Sequence, residues 1–429
     1  MSPVTRSLRA PRPVLALADD LSGAAETAAA LAVRSRLVLG PATVVPPERG
    51  EAVVVDLDSR WSSADEAARA VRTSLAAGTP DDAVLFKKAD SLLRGNIAAE
   101  AAAYAAGAQA VVIAPALPVA GRTVLDGVVH LHGTPLHATD AWRAESGPVP
   151  RSVPDALGAI RTETVPLAGV RAGPDALAGR LRAIAADGGH PVCDAETQSD
   201  LDAVAAAALR LGPGFRLLGA GGLALALGRH LTEGRPHQQA EAGQSLSPRP
   251  QANRPLLIVV GTADPGAVAQ IAQLTSNGVR HIALSPDALG KAEPPRLDVV
   301  PSGITVVSID NSRGVRPGSG RRLVTALARS VAGVPTRADL VLTGGETARC
   351  VLDALGITQL TPAGQIHHGA VCAYAPDGRT VVTRPGSFGD ADSLLRIARA
   401  LRPLPRPAPP APSAAPAAQP SPVAQGEAL

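Results

Sequence analysis

Ala83-Val84-Leu85-Phe86-Lys87-Lys88-Ala89-Asp90-Ser91-Leu92-Leu93-Arg94-Gly95-Asn96 passes from a short apolar run into a crowd of polar side chains, and an alanine-rich run, Ile97 to Ala106, follows. The order reads as buried strand, loop and helix. Two lysines, an aspartate, a serine, an arginine and an asparagine within ten residues are more than a turn needs. Lys and Arg suit an anionic ligand, Arg through planar, bidentate recognition of carboxylate or phosphate. Asp and Ser suit hydroxyl recognition or proton transfer. Alone, a solvated loop explains the stretch as well as a site does, although open α/β sheets place ligands at such loops. Other strand ends tip the balance.

Upstream, Pro13 to Ala18 reads as a first buried strand ending in Asp19-Asp20-Leu21-Ser22-Gly23. A helix from Ala24 to about Arg34 follows, with Ser22 as its N-cap and Glu26 complementing its dipole. Ala52 to Leu57 is the next strand and ends in Asp58-Ser59-Arg60; Ala110 to Ala114 ends in Pro115-Ala116-Leu117-Pro118-Val119-Ala120-Gly121-Arg122. Short apolar runs alternating with helical segments predict a parallel sheet covered by helices. From Leu125 to about Ser152 the periodicity fails, which predicts loops or an antiparallel excursion over the sheet edge. His130, His132 and His137 there read as surface histidines, since neither cysteine nor an HExxH pattern accompanies them. Alternation returns with strands at Pro191 to Cys193 and Phe215 to Leu218. The turn Gly219-Ala220-Gly221-Gly222 lacks a full GxGxxG and its acidic partner, so close strand–helix packing is the better reading than a dinucleotide site.

Residues 232–254 are rich in Gln, Pro, Ser and charge, a linker composition that divides the chain into α/β domains at 13–231 and 255–401. In the second, strands are expected at Pro255 to Val260, His281 to Leu284, Ile304 to Ser308 and Asp339 to Leu342. The last of these ends in Thr343-Gly344-Gly345-Glu346-Thr347 at a helix start, where backbone donors could cradle phosphates or Thr343 could simply cap the helix. Ile366 to Tyr374 and Thr380 to Thr383 predict a hairpin across Pro376-Asp377-Gly378. A final helix spans about Ala391 to Leu401, and residues 1–12 and 402–429 read as disordered.

With 45% hydrophobic residues, 18% charged and 2% aromatic among 429, the core must be built from Ala, Val and Leu. A net charge of +3 without like-charge blocks argues against a nucleic-acid partner. Cys193, Cys350 and Cys372 show no metal spacing and fit reduced thiols. The run Val14 to Ala18 is too short for a signal-peptide core, and the uncharged stretch from Glu100 to Arg122 contains Pro115 and Pro118, so neither membrane insertion nor export is expected and the cytoplasm is the expected compartment.

In a parallel sheet the carboxyl ends lie side by side, so Asp19-Asp20, Asp58/Arg60, Lys87 to Asn96 and Gly121/Arg122 should converge on one crevice suited to a small, acidic, hydroxylated molecule. Together these motifs resemble the four-carbon acid sugar kinases. The family's ADDLTGA matches Ala18-Asp19-Asp20-Leu21-Ser22-Gly23-Ala24, its DTR matches Asp58-Ser59-Arg60, and its K-x-DSTLRGN matches Lys88 to Asn96. PAFPxxGR, GSAGLA, TGGETA and SGxFG match Pro115–Arg122, Gly219–Ala224, Thr343–Ala348 and Pro385–Gly389, in the family's order over about residues 13–401. The resemblance implies a sugar-acid-binding domain, a nucleotide-binding domain, an active site in the cleft between them, and ATP- and Mg²⁺-dependent phosphorylation of a terminal hydroxyl on a four-carbon sugar acid such as threonate, erythronate or a 3-oxo-tetronate.

By that resemblance Asp20, Asp90 and Lys88 are the catalytic candidates, with Asp20 or Asp90 accepting the hydroxyl proton. Asp19, Arg60, Ser91, Arg94, Asn96 and Arg122 would bind the sugar acid, Arg60 or Arg94 pairing with its carboxylate. Thr262, Gly344, Gly345, Glu346, Thr347, Gly386 and Gly389 would line the nucleotide. Metal ligands and oligomeric state stay open, a homodimer being compatible. Three positions depart from the family: GSxS is Gly261-Thr262-Ala263-Asp264, a Lys-Ser pair is Arg384-Pro385, and the Thr of DSTLRGN is Leu92. The first loses a hydroxyl and adds a negative charge near the expected phosphates, which leaves open a non-catalytic sugar-acid-binding protein. A nicotinamide-dependent oxidoreductase would need a ribose-binding acid that the sequence does not offer.

Overall fold

The computed structural model describes residues 10–41, 44–143, 145, 147–232, 254–262, 264–310, 320–386 and 389–404. The expected linker 232–254, tail 402–429 and N-terminal segment 1–12 lie almost wholly outside these, as do Ala263, Ser387 and Phe388.

In the N-terminal half the strands are β1 (Val14–Ala18), β2 (Arg34–Leu39), β3 (Glu51–Asp56), β4 (Val84–Lys88), β5 (Ala110–Ala114), β6 (Arg122–Leu125), β7 (Val128–Leu131), β8 (Thr134–Pro135), β9 (Thr162–Val165), β10 (His190–Cys193) and β11 (Phe215–Gly219). The C-terminal half supplies β12 (Leu256–Val260), β13 (Arg280–Leu284), β14 (Ile304–Ile309), β15 (Asp339–Thr343), β16 (Gln359–His367), β17 (Ala370–Tyr374) and β18 (Thr380–Arg384). β1, β3, β5 and β12 are buried along their whole length, as parallel strands under helices on both faces must be, so they read as apolar runs. The irregular stretch after Leu125 forms a small antiparallel sheet, β6-β7-β8.

Each half is the mostly parallel layer its periodicity predicts. The edges meet: β16 pairs antiparallel with β2 through Gln359–Val38 and Leu360–Leu37, so the described strands make one sheet of fifteen. Its order is β13-β14-β12-β15-β18-β17-β16-β2-β3-β1-β4-β11-β5-β10-β9. Register aligns the functional ends. Ala18 is level with Asp56 and Lys88, Lys88 with Gly219, and Gly219 with Ala114. In the other half Thr343 is level with Val260 and Arg384.

Three local readings need correction. The first helix is Leu21–Ala30, starting earlier than expected, and its cap is Asp20, whose Oδ1 accepts from Gly23 N at 2.7 Å; Ser22 lies inside the first turn. A side-chain cap of this kind is worth about 1 kcal/mol. That helix also ends before Arg34, because Ala32 turns into the left-handed region (φ 52°) and releases the chain into β2. No glycine or proline announces that stop. The run Ile366 to Tyr374 is split by a turn at His368-Gly369, where Gly369 has φ 80°, so only β17 and β18 form the expected hairpin.

Candidate functional site

At the carboxyl ends of β1, β3 and β4, Arg60 gathers three carboxylates. Its Nε donates to Asp19 Oδ2 at 2.8 Å, Nη1 lies 2.8 Å from Asp20 Oδ2, and Nη2 lies 3.6 Å from Asp90 Oδ2. Arg94 grips Asp90 from the other side, at 2.9 Å through Nε and 2.6 Å through Nη2. The two aspartates therefore differ in character. Burial alone would raise Asp90, but Arg60 and Arg94 override it and hold its carboxyl far below the usual range. Burial raises Asp20, the neighbouring Asp19 adds to the effect, and Arg60 and Lys88 offset only part of it. Asp20 is the more basic of the pair.

Behind this group lies a buried support. Lys88 Nζ donates to Ala89 O at 3.0 Å and faces Glu26 at 3.6 Å. Glu26 has room because of the glycine turn after β11: a Cβ on Gly221 would lie 2.4 Å from Glu26 Oε1, and one on Gly219 would lie 2.4 Å from Ala114 O. These glycines thus serve close packing, as expected from the sequence. Lys87, 1% exposed, pairs with Glu100 at 3.0 Å, and Glu100 also accepts from Ser59 Oγ. Asn96 donates to Ser59 O and Ser62 O at 2.8 and 2.9 Å, so it pins the Arg60 loop. Arg122 donates to Ser91 Oγ, while its buried Nε has no partner.

In the second half, Gly344 sits at φ 94° and donates its N–H to Arg384 O at 2.8 Å. The helix Gly345–Ala354 that follows has no side-chain cap, and Thr343 Oγ1 is buried without a partner, so Thr343 is not the cap. Thr262 and Gly344 both approach Gly386, whose Cβ would lie 3.4 and 3.6 Å from them. Asp264 is turned into its own helix, Pro265–Ser276, where it accepts from Gly266 N at 2.8 Å. The added negative charge noted in the sequence is therefore placed against a helix N-terminus, which favours it.

The two rows face each other. A Cβ on Gly345 would lie 3.0 Å from Asp20 Oδ2 and 3.2 Å from Ser22 Oγ. Between them is a cavity of about 350 Å³ lined by Asp20, Arg60, Arg94, Thr262, Gly344, Gly345, Glu346, Thr347 and Gly386 among the predicted residues. Asp19, Lys88, Asp90, Ser91, Asn96, Arg122 and Gly389 do not line it; most of them stand behind those that do. Asp58 lines it too, as the sequence placed it at the crevice; Ser22, Trp61 and Glu145 line it without having been placed there. Ion pairs cross the same boundary, Arg349 to Asp56 at 3.0 Å and Arg321 to Asp58 at 3.3 Å. A larger hollow of about 740 Å³ lies behind the loop, at Leu93, Asn96, Trp142 and Arg151, away from the carboxylates. Size does not decide here; Asp20, Arg60 and Arg94 line the smaller space.

Among the described residues no three His, Cys, Asp or Glu side chains are grouped to hold a metal. Mg²⁺ in phosphoryl-transfer sites asks for less, one or two carboxylates with donor phosphates completing its shell. Glu346 on the cavity wall fits that need, and Asp19 Oδ1 is buried without a hydrogen-bond partner close behind. No described helix is long and apolar enough to cross a membrane.

Residues 14–227 match the family model of a sugar-binding N-terminal domain, and residues 300–394 that of a nucleotide-binding C-terminal domain. The chain is 34% identical to a D-threonate kinase of Cupriavidus necator over 412 residues, covering 90% of this chain and 97% of that one. It is 31% identical to a D-threonate kinase of Bordetella bronchiseptica (90% and 96% covered) and 28% identical to a 3-oxo-tetronate kinase of Methylobacterium radiotolerans (89% and 97%). A solved Haemophilus influenzae structure superposes with a TM-score of 0.66 at 20% identity, covering 89% of this chain and 98% of that one, which speaks to the fold alone.

Proposed function

The chain belongs to the four-carbon acid sugar kinase family, and from that premise we propose that it transfers the terminal phosphoryl group of ATP to the terminal hydroxyl of a four-carbon sugar acid, D-threonate before erythronate or a 3-oxo-tetronate. That it is a kinase follows from relatives 30–34% identical over nearly their full length. The preference for D-threonate rests on the names of those three relatives.

The observation that carries the reading is the approach of Asp20 to the Gly344–Thr347 turn, which sets a basic carboxylate beside uncapped helix N–H groups. Those N–H groups suit the phosphates of a donor. Asp20 accepts the proton of the substrate hydroxyl, because its carboxyl is raised while Asp90 is held charged. Asp90 instead fixes Arg60 and Arg94. Arg60 already satisfies three carboxylates, so Arg94, whose side chain is 31% exposed and lines the cavity, is the better partner for the substrate carboxylate. Mg²⁺ held by Glu346 and the donor's phosphates would offset charge on the transferring phosphoryl group. Lys88, buried between Asp20 and Glu26, adds fixed positive charge behind the reacting oxygen.

An ADP-release assay with ATP·Mg²⁺ and a panel of D-threonate, D-erythronate and 3-oxo-tetronates tests this. Turnover fastest with D-threonate is the expected result. A melting temperature raised by sugar acid but unmoved by ATP·Mg²⁺, with no ADP released, would make the protein a binder instead of a kinase.

A further inference from the structure

Arg384 ends β18 beside the nucleotide-facing turns, yet it does not reach the cavity. It is 2% exposed, and none of its hydrogen bonds goes to a carboxylate. Nη1 donates to Gln270 Oε1 at 2.7 Å and to Ser393 Oγ at 2.9 Å; Nε and Nη2 reach Pro385 O and Gly386 O at 3.2 and 3.4 Å. Gln270, also 2% exposed, passes the connection on by donating to Gly389 O at 3.1 Å and Asp390 O at 3.0 Å. Through its own carbonyl Arg384 receives Gly344 N. One guanidinium therefore ties both glycine turns to the helices Pro265–Ser276 and Ser393–Leu401.

A buried cation is expensive unless it is paired. Here the neighbours are carbonyls, an amide and a hydroxyl, which satisfy its donors without neutralising its charge. Asp264, which accepts from Gly266 N within its own helix, acts on Arg384 through space and not by contact. An interior charge left uncompensated beside a surface that faces an anion costs least when the anion is present. Arginine is also the residue that can bridge several acceptors in one plane, which lysine at this position could not do.

We propose that Arg384 is the positioning residue of the phosphate-donor site: it presets Gly344, Gly386 and Gly389 and supplies the fixed positive charge that the donor's polyphosphate neutralises. This rests on the kinase reading above. It assigns donor affinity to a side chain that never contacts the donor and leaves the sugar-acid side untouched.

The test compares wild type, Arg384→Lys and Arg384→Gln, with thermal melting to establish that each is folded. Arg384→Gln is expected to raise the KM for ATP and the dissociation constant of ADP by tenfold or more, while the KM for sugar acid changes less than twofold. Arg384→Lys keeps the charge but not the bridges and should recover part of the loss. Raised ionic strength should weaken ADP binding more in wild type than in Arg384→Gln. Unchanged donor KM in a folded Arg384→Gln, with only a lower melting temperature, overturns the proposal and leaves a structural role. So does an equal rise in both KM values. A wild-type protein that releases no ADP with any acceptor refutes the kinase reading itself; ADP binding by calorimetry then still decides whether Arg384 governs the nucleotide turns. Should Arg384→Gln not fold, Gln270→Leu, which removes the relay to Gly389, must raise donor KM selectively or the proposal fails.

Discussion

Asp20 and Asp90 are both aspartates at the end of neighbouring strands, and their surroundings separate them. Asp90 is clamped by two guanidinium groups, whereas Asp20 shares Arg60 with Asp19 and keeps a raised affinity for protons. Asp20→Asn is expected to lower kcat by about 10²–10⁴-fold with little change in either KM, the range for losing a general base. Only the carboxylate form accepts the hydroxyl proton, so kcat should fall as pH drops through a value above the ordinary Asp pKa of about 3.9. A kcat flat with pH down to that ordinary range would remove Asp20 from the role. Arg94→Ala should raise the sugar-acid KM by at least tenfold and leave the ATP KM unchanged in initial-rate measurements. Residue types were legible in the sequence because a parallel sheet forces strand ends together. Their division of labour was not: sequence placed Arg60 and Arg94 as equal candidates for the substrate carboxylate, and only distance shows Arg60 already engaged.

At the scale of elements, loops here are held by groups far from the cavity. Glu100 stands on the helix Ile97–Ala105, one turn past the polar loop, and reaches Ser59 and Lys87. Glu100→Gln keeps an acceptor for Ser59 but leaves Lys87 without its ion pair, so it should melt at a lower temperature and lower kcat more than it raises KM, read by thermal denaturation and kinetics on the same sample. Gly221→Ala puts a methyl 2.4 Å from Glu26 Oε1 and is expected to push that carboxylate off Lys88, with a loss of kcat. Most elements could be read from apolar runs and capping residues. β2, β9 and the short helices Val153–Leu157 and Leu167–Val170 could not, because runs of four to six residues with polar alternates carry little periodicity. Glu100 escaped notice for a related reason: within an alanine-rich helix a lone glutamate looks like a solvated surface charge until the strand beneath it is seen to carry a lysine.

For the whole molecule, the boundary between halves carries its own titration. Burial raises Asp56 to about 7, with Arg349 from the other half pulling against it. A carboxyl that holds its proton more tightly when folded contributes stability that is full below the unfolded pKa, about 3.9, and is lost as pH rises toward its folded value. Asp56→Asn imitates the protonated form and should flatten the fall in unfolding midpoint between about pH 4 and about pH 7. A midpoint whose pH dependence matches wild type would show that Asp56 ionises normally. This coupling had no signature in the chain, since Asp56 and Arg349 lie 293 positions apart.

The short seam between β2 and β16 constrains how the enzyme can breathe. Two registered residue pairs are too few to make a stiff plate, yet parting them would bare unsatisfied amides on both edges. Opening for product escape is therefore expected to proceed by twisting about that seam while its backbone ladder stays intact, with the Arg321–Asp58 pair parting as Asp20 and the Gly344–Thr347 turn move away from each other.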